Sequence, residues 1–430
     1  MRKAGNRFAW GVGALVATLP SHVANAQDVS ASPETAPDFD RDRTVAILDR
    51  APVGFEEKGY RAGAFLILPR VEYAGMADDN VLALPRDRTG DVGVSIAPSI
   101  DAQSDWVRHQ LALSASGVFT RFATLQSENS ETYNLQARGR FDATGELSVT
   151  GLAGYRRSVE RRSAPGALRN SVRPVTYDTV SAGGRITWRG GRLRLQAEGD
   201  LARLNYEDVT TADGTVLDSS GLDRKQSRVS SRADYAITPD LALLAVATVT
   251  DLDYKAPAFG IDRTSRKTEV LAGVSFEFTD LLRGEIALGY VRQHYKRGGI
   301  PNFSGLGGRI ELEYYPTRLT GIKFEGSRTV REAGNPIAPS YIRTRAQLSV
   351  DHELYRRLVM SAVADYERNR YQFPARTEQR WHAGLSARYL MSRHVAVFAR
   401  VDHLRVATRP SEIGRRFTEN VVSLGILLKP

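Results

Sequence analysis

The chain has 430 residues, a formal net charge of +10 and no cysteine, which excludes a disulfide scaffold, a thiolate metal site and a cysteine nucleophile. Arginine supplies 51 of the 59 basic residues, so most of the positive charge sits on planar, permanently ionised guanidinium groups. That bias has two readings of equal weight: the codon usage of a GC-rich genome, and an arginine-lined path for something anionic.

The N-terminus predicts export. Met1-Arg2-Lys3 and Arg7 form a basic region, Phe8 to Leu19 is an uncharged, mostly apolar run, and Ala24-Asn25-Ala26 is the small-x-small pattern that a signal peptidase cuts after. A run of 12 residues is too short to span a bilayer, so residues 1–26 read as a cleavable secretory signal peptide. Its removal takes away Arg2, Lys3 and Arg7 and lowers the net charge from +10 to +7. No later segment approaches the ~18 uninterrupted apolar residues of a transmembrane helix.

Residues 27–60 differ in kind from the remainder of the chain. They hold Pro33, Pro37 and Pro52, the mixed charges of Asp38 to Arg43, and one short apolar piece from Thr44 to Leu48. This composition predicts a periplasmic extension, partly disordered or plug-like, with a share of it tucked into a pore.

From residue 61 to 430 the period changes to two and stays there. Tyr133, Leu135, Ala137, Gly139 and Phe141 alternate with Asn134, Gln136, Arg138, Arg140 and Asp142. Leu193, Leu195, Ala197, Gly199 and Leu201 alternate with Arg192, Arg194, Gln196, Glu198 and Asp200. Further stripes run through Val270 to Phe278, through Ile310, Leu312 and Tyr314, and through Trp381 to Tyr389. Such stripes predict strands with one apolar and one charged face. The segments run to about 12–16 residues, whereas strands of soluble proteins average about five or six, so a strand tilted across a bilayer fits better. Phe119, Tyr155, Trp188, Tyr206, Tyr254, Tyr295, Tyr314, Tyr315, Tyr371 and Tyr389 fall near strand ends, where interfacial girdles would place them.

Short connections at Ala143-Thr144-Gly145, Arg189-Gly190-Gly191, Thr238-Pro239-Asp240, Thr279-Asp280, Pro316-Thr317 and Met391-Ser392-Arg393 alternate with longer ones near 158–173, 207–222, 255–263, 297–304, 332–340 and 407–415. Short periplasmic turns and longer outer loops are the habit of bacterial barrels. Counting hairpins gives 18 strands from near Ala62 to near Leu428, with 16 or 20 one hairpin away. Lipid offers no hydrogen-bond partners, so such strands must close. The predicted fold is therefore all-β: a closed antiparallel transmembrane β-barrel over 61–430 in an outer membrane, with an aqueous lumen.

One stretch is more specific. Gly59-Tyr60-Arg61-Ala62-Gly63-Ala64-Phe65 leads through Pro69 and Arg70-Val71-Glu72-Tyr73 to Asp78-Asp79-Asn80-Val81, then to Ile96-Ala97-Pro98-Ser99 and Ser104 to His109. In motif over about residues 59–120, and in architecture over the rest, the chain resembles the β-barrel porin type 2 family. Members of that family are outer-membrane barrels associated with exopolysaccharide or capsule production and export, so the resemblance implies a polysaccharide-linked transport role. Composition and periodicity do not. The chain departs from the family pattern at Ala77, where an aromatic is common, and in ending Ile426-Leu427-Leu428-Lys429-Pro430 without the terminal aromatic that the assembly machinery reads in many barrels.

The lumen candidates are Arg138, Arg140, Arg185, Arg192, Arg194 and Arg309, with Glu198, Asp200, Glu311, Glu313 and Glu325 among them. They make either an arginine ladder for anions or a set of opposite charges that brace neighbouring strands, and the second reading carries more weight because both signs alternate. Asp78, Asp79 and Asn80 could hold a cation or sugar through hard oxygen ligands, but the same residues make turns at strand ends, and the turn reading outweighs the ligand reading.

His382 and Ser386 share a strand face roughly 13 Å apart, too far for a base and its nucleophile. No histidine has metal-ligand spacing, no phosphate loop opens a helix, and basic charge without a recognition helix or stacking platform makes no case for nucleic acid. The expected protein is a pore rather than an enzyme, with no cofactor and no metal. Outer-membrane lipid, an anionic polysaccharide and the outer-membrane assembly machinery are its expected partners, and its oligomeric state is not legible. Polysaccharide export or saccharide passage leads; a nutrient-uptake porin and a non-conducting partner of an envelope polysaccharide assembly come after it. An inward-folding constriction loop would favour uptake, and no segment of the sequence reads as one.

Overall fold

The computed structural model describes Ile47 and residues 54–430, apart from 166, 169, 258–259, 280, 298, 335–337 and 411–414. The predicted signal peptide and most of the predicted extension lie outside the described residues.

Eighteen long strands succeed one another in chain order. The first six are β1 (Phe65–Asp78), β2 (Asp91–Ser104), β3 (His109–Phe122), β4 (Ser130–Asp142), β5 (Leu147–Glu160) and β6 (Val175–Gly190). Next come β7 (Leu193–Tyr206), β8 (Arg224–Thr238), β9 (Leu241–Tyr254), β10 (Ser265–Phe278), β11 (Leu282–Tyr295) and β12 (Phe303–Thr317). The last six are β13 (Thr320–Glu332), β14 (Ser340–Tyr355), β15 (Leu358–Gln372), β16 (Ala375–Leu390), β17 (Val395–Arg409) and β18 (Arg416–Leu428). Each pairs antiparallel with its neighbours, and β1 pairs with β18 from Val71↔Leu428 to Asp78↔Val421, so the sheet closes on itself. Closure leaves the spanning backbone no free edge, as a hydrocarbon surround demands.

The period of two decides which face is which. On β8 the odd positions Lys225, Ser227 and Val229 are exposed, whereas Arg224 and Asp234 on the even face are buried. Leu243, Leu288, Leu385 and Leu424 belong to the outward band, exposed because its solvent is lipid.

Four lumen-facing apolar residues, Leu244, Val246, Leu271 and Ala287, pack together on β9 to β11. β10 and β11 approach each other closely there. A Cβ on Gly273 would stand 1.9 Å from the Ile286 carbonyl, and one on Gly289 1.9 Å from that of Val270, so only glycine permits the approach.

At the seam, Tyr60–Ala62 turns back to pair with Phe65 to Ile67 on β1. Glu57 bridges Arg70 at 2.8 Å and Lys429 at 3.3 Å, and Arg70 also reaches Asp101 at 2.7 Å. The start of the barrel, its last residues and β2 are thereby tied together. Ile47 is buried, and a Cβ on lumen-facing Gly321 would lie 3.6 Å from its Cδ1.

The ten end-of-strand aromatics divide by parity. Phe119, Tyr155, Trp188, Tyr314 and Tyr389 face outward by register. Tyr206, Tyr295, Tyr315 and Tyr371 are buried on the inner face and Tyr254 shares it, so the expected girdle is only half a girdle. Being near a strand end says nothing about face; odd or even position does.

Candidate functional site

The strand register carries most of the charged residues into the lumen, where they pair. Arg185 on β6 meets Glu198 on β7 at 2.6 Å, and Arg228 on β8 reaches Glu198 at 3.1 Å and Asp200 at 3.4 Å. A longer chain of charge crosses the inner wall from β7 to β12. Arg194 meets Asp234 at 3.1 Å, Arg232 meets Asp234 at 2.6 Å and Glu285 at 2.8 Å, and Arg309 meets Glu285 at 2.7 Å. Arg232 and Glu285 sit on β8 and β11, with β9 and β10 between them. The two side chains meet across the inner face of those strands.

Lower on the same side, Lys323 joins Glu311 at 2.8 Å and Glu325 at 3.2 Å, while Arg283 joins Glu313 at 2.6 Å. Arg140 reaches Asp142 at 2.9 Å, and Arg138 lies on the same face of β4, opposite Leu152. Arg192 is elsewhere. It is exposed in the two-residue turn between β6 and β7, off the wall, because the stripe that includes it runs one residue past the strand.

Asp78, Asp79 and Asn80 come together as a strand-end fastening. The fully buried Asn80 side chain donates to the carbonyls of Leu84 at 2.9 Å and Thr418 at 2.8 Å and accepts from the Leu84 N–H at 2.9 Å. Asp78 accepts from the Asn80 N–H at 2.8 Å, and Asp79 accepts from the Asn420 amide N–H at 2.7 Å. Three polar side chains are thus spent on tying the 79–90 loop to β18. No group of three or more His, Cys, Asp or Glu that could hold a metal is found among the described residues.

The least foreseen element is the tip of the β13–β14 hairpin. β12 pairs with β13 only from Gly308↔Arg328 downward; above that the two part, and β13 turns inward across the inner face of β11. Val330 packs with Val291, Tyr295 and Phe303. Glu332 accepts from the Tyr254 hydroxyl at 2.8 Å and from the Gln293 amide at 2.7 Å. Tyr295 and Ser340 share a 2.5 Å hydroxyl contact, and Arg263 from the 255–264 loop donates to the Ala333 carbonyl at 3.4 Å and that of Gly221 at 2.9 Å. A seven-residue connection gives no hint of this in sequence. The inward-folding element is a strand end that leaves the wall, where no segment of the sequence read as an inward-folding loop.

Other loops close over the same end. Arg415 donates to the carbonyls of Arg162, Ser163 and Ala164, Arg162 pairs with Glu128 at 2.7 Å, and Ser171 bridges to Thr211. Below them lies a cavity of about 280 Å³ against β6 to β10, β12 and β13. Seven basic residues line it (Arg185, Arg224, Arg228, Arg232, Lys267, Arg309, Arg331) against three acids, Glu198, Glu269 and Glu332. Arg224 and Lys267 have no ion-pair partner among the described residues; Arg224 stacks over Tyr254 at 5.7 Å, and Lys267 reaches the Val330 carbonyl at 3.5 Å. Sequence reading missed both, along with Arg228, Arg232 and Glu285. The alternating stripe Arg224, Gln226, Arg228, Ser230, Arg232, Asp234 is the signal that could have found the three arginines of β8.

A closed eighteen-stranded barrel with a lipid-facing apolar band and a charged lumen defines an outer-membrane β-barrel of the channel-forming class. The chain belongs to the family described as Putative beta-barrel porin 2, whose profile matches residues 51–430. A search of the curated proteins finds no match. Among solved structures the chain is similar to OccAB3 of Acinetobacter baumannii, at 11% identity over 86% of this chain and 100% of that one, TM-score 0.46. It is similar also to OpdK of Pseudomonas aeruginosa, at 11% identity over 85% and 99%, TM-score 0.45. A third is OccK2 (OpdF) of Pseudomonas aeruginosa in complex with glucuronate, at 12% identity over 85% and 98%, TM-score 0.45. At such values the fold assignment rests on the strand pairing described above, and the family on its profile.

Proposed function

We propose that the barrel is a passive, anion-preferring channel for small polar solutes, with short acidic saccharides the class that fits its lumen. The observation that supports this reading is the pairing of an inward-fastened β13–β14 tip with a cavity lined by seven basic and three acidic residues. Fixed charge of one sign in a narrow, low-dielectric passage selects the opposite sign, and arginine and lysine rings do so for anions. Export of a long exopolysaccharide, which the family resemblance suggests, needs a lumen through which a polymer threads. A hairpin fixed across the inner wall favours short solutes over a polymer. The non-conducting reading has no observation of its own to favour it.

The test is reversal potential in a planar bilayer under a salt gradient, followed by block with uronic acid oligomers of increasing length. Discrete conductance steps with anion preference are expected, with block by monomers and dimers. Arg224→Gln with Lys267→Gln should reduce the anion-to-cation permeability ratio by about threefold to tenfold, since two unpaired charges leave the narrow part. A cation-preferring pore, or selectivity unmoved by the double substitution, would overturn the proposal.

A further inference from the structure

The outer wall carries a second feature unrelated to the lumen. On β15 to β18 the lipid-facing band is largely apolar from the short-turn side upward: Met360, Ala362 and Ala364, then Leu385 and Ala383, Val397, Ala399 and Val401, and Leu424 and Val422. It ends at the Tyr366–Trp381 ring pair, whose centroids are 4.2 Å apart. Immediately beyond, the outward basic side chains are arginines; His403, opposite Ala383, lies below Trp381 and bonds Asn420. Arg405 stands opposite Trp381 in the register, Arg416 opposite Ala407, Arg368 opposite Gln379, and Arg370 and Arg409 flank Thr377.

All five arginines are exposed, and none has an ion-pair partner among the described residues. Asp79, beyond β18, is already engaged by Arg88 and Asn420. Elsewhere on the same rim, Arg266 is balanced by Asp251 at 2.8 Å and Lys296 by Asp253 at 3.1 Å. Five adjacent guanidiniums repel one another unless something anionic lies among them. Their backbone positions are roughly 7–14 Å apart, so long side chains can close on one or two tetrahedral anions, and the fork of each guanidinium suits bidentate phosphate contact.

We infer that this patch binds the phosphorylated headgroup of a lipid in the outer leaflet, with the acyl chains lying on the apolar band below Trp381. The long-loop end is the outer one in a bacterial barrel, so the arginines sit at the headgroup level of that leaflet. The apolar band continuous with the patch selects a lipid over a soluble anion: a free phosphate would use the guanidiniums and leave Leu385, Val401 and Leu424 idle.

The test uses the full-length barrel in nanodiscs holding bisphosphorylated lipid A, with retained lipid counted by native mass spectrometry after detergent exchange. The wild-type barrel should retain the bisphosphorylated form at least tenfold better than chemically dephosphorylated lipid A. R368Q/R370Q/R405Q/R409Q/R416Q, with folding confirmed by heat-modifiable gel mobility, should lose that preference, whereas R266Q with K296Q should keep it. Should the fivefold variant fail to fold, R368Q/R370Q and R405Q/R416Q each test half of the patch, and each should lose part of the preference. Equal retention of both lipids by the wild-type, undiminished retention by the folded variants, or equal loss in the R266Q/K296Q control would overturn the inference. Displacement of the lipid by a soluble acidic polysaccharide at matched charge would overturn it too, in favour of polysaccharide docking.

Discussion

The Arg194–Asp234–Arg232 triad shows what single residues do in this wall. Arg194 and Asp234 have side chains 1% and 0% exposed, so each charge has exchanged water for its partners. Removing one partner strands the others, which costs roughly 3–5 kcal/mol in comparable buried pairs. Asp234→Ala should therefore destabilise the folded barrel in detergent by that amount, read from its urea midpoint, whereas Arg192→Gln in the exposed turn should leave the midpoint unchanged. Equal midpoints for Asp234→Ala and the wild type would show that the triad fills space without bracing. Arg192 and Arg194 look alike in sequence, two positions apart on one stripe. Only the place where β6 ends and β7 begins separates a wall residue from a turn residue, and boundaries are where periodicity is weakest.

Among elements, the β13–β14 tip differs most from its neighbours. Between Thr329 and Glu332, β13 leaves β12 and is held inside by Glu332, Tyr254, Gln293 and Val330. Replacing residues 333–339 by a two-residue turn while changing Glu332→Ala should release it. Single-channel conductance should then rise about twofold or more, because a narrowed segment dominates the resistance of a pore. An unchanged step size with a folded barrel would place the narrowest part elsewhere. The glycines of β10 and β11 matter at the same scale. Gly273 and Gly289 each meet the backbone beside their cross-strand partner at distances that no Cβ tolerates.

For the molecule as a whole, closure and the N-terminal segment are linked. Glu57 clamps Arg70 to Lys429 across the seam, and Ile47 is buried beside Gly321, on the inner face at the short-turn end. Removing residues 27–53 keeps the clamp but takes Ile47 away, so the barrel should fold with unaltered gel mobility. Ile47 takes up space on the inner face, so conductance should increase on its removal. Equal conductance with and without these residues would mean that the segment leaves the passage clear.

The sequence by itself determined the strand number, the turn and loop sides, and the division into a lipid face and a charged face. Those result from a period of two and from the rule that backbone polar groups in lipid must pair, both local or universal constraints. It could also place Arg185, Glu198, Arg309 and Glu313 on the charged face, because parity within one strand suffices. Which charges meet was decided only by the closed wall: Arg232 finds Glu285 across two intervening strands, and Asn80 finds Thr418 across the seam. The inward course of β13 belongs to the same class. A strand that leaves the wall keeps its alternating pattern, so Val330 and Glu332 read as outward residues until the curvature of the barrel shows them facing β11.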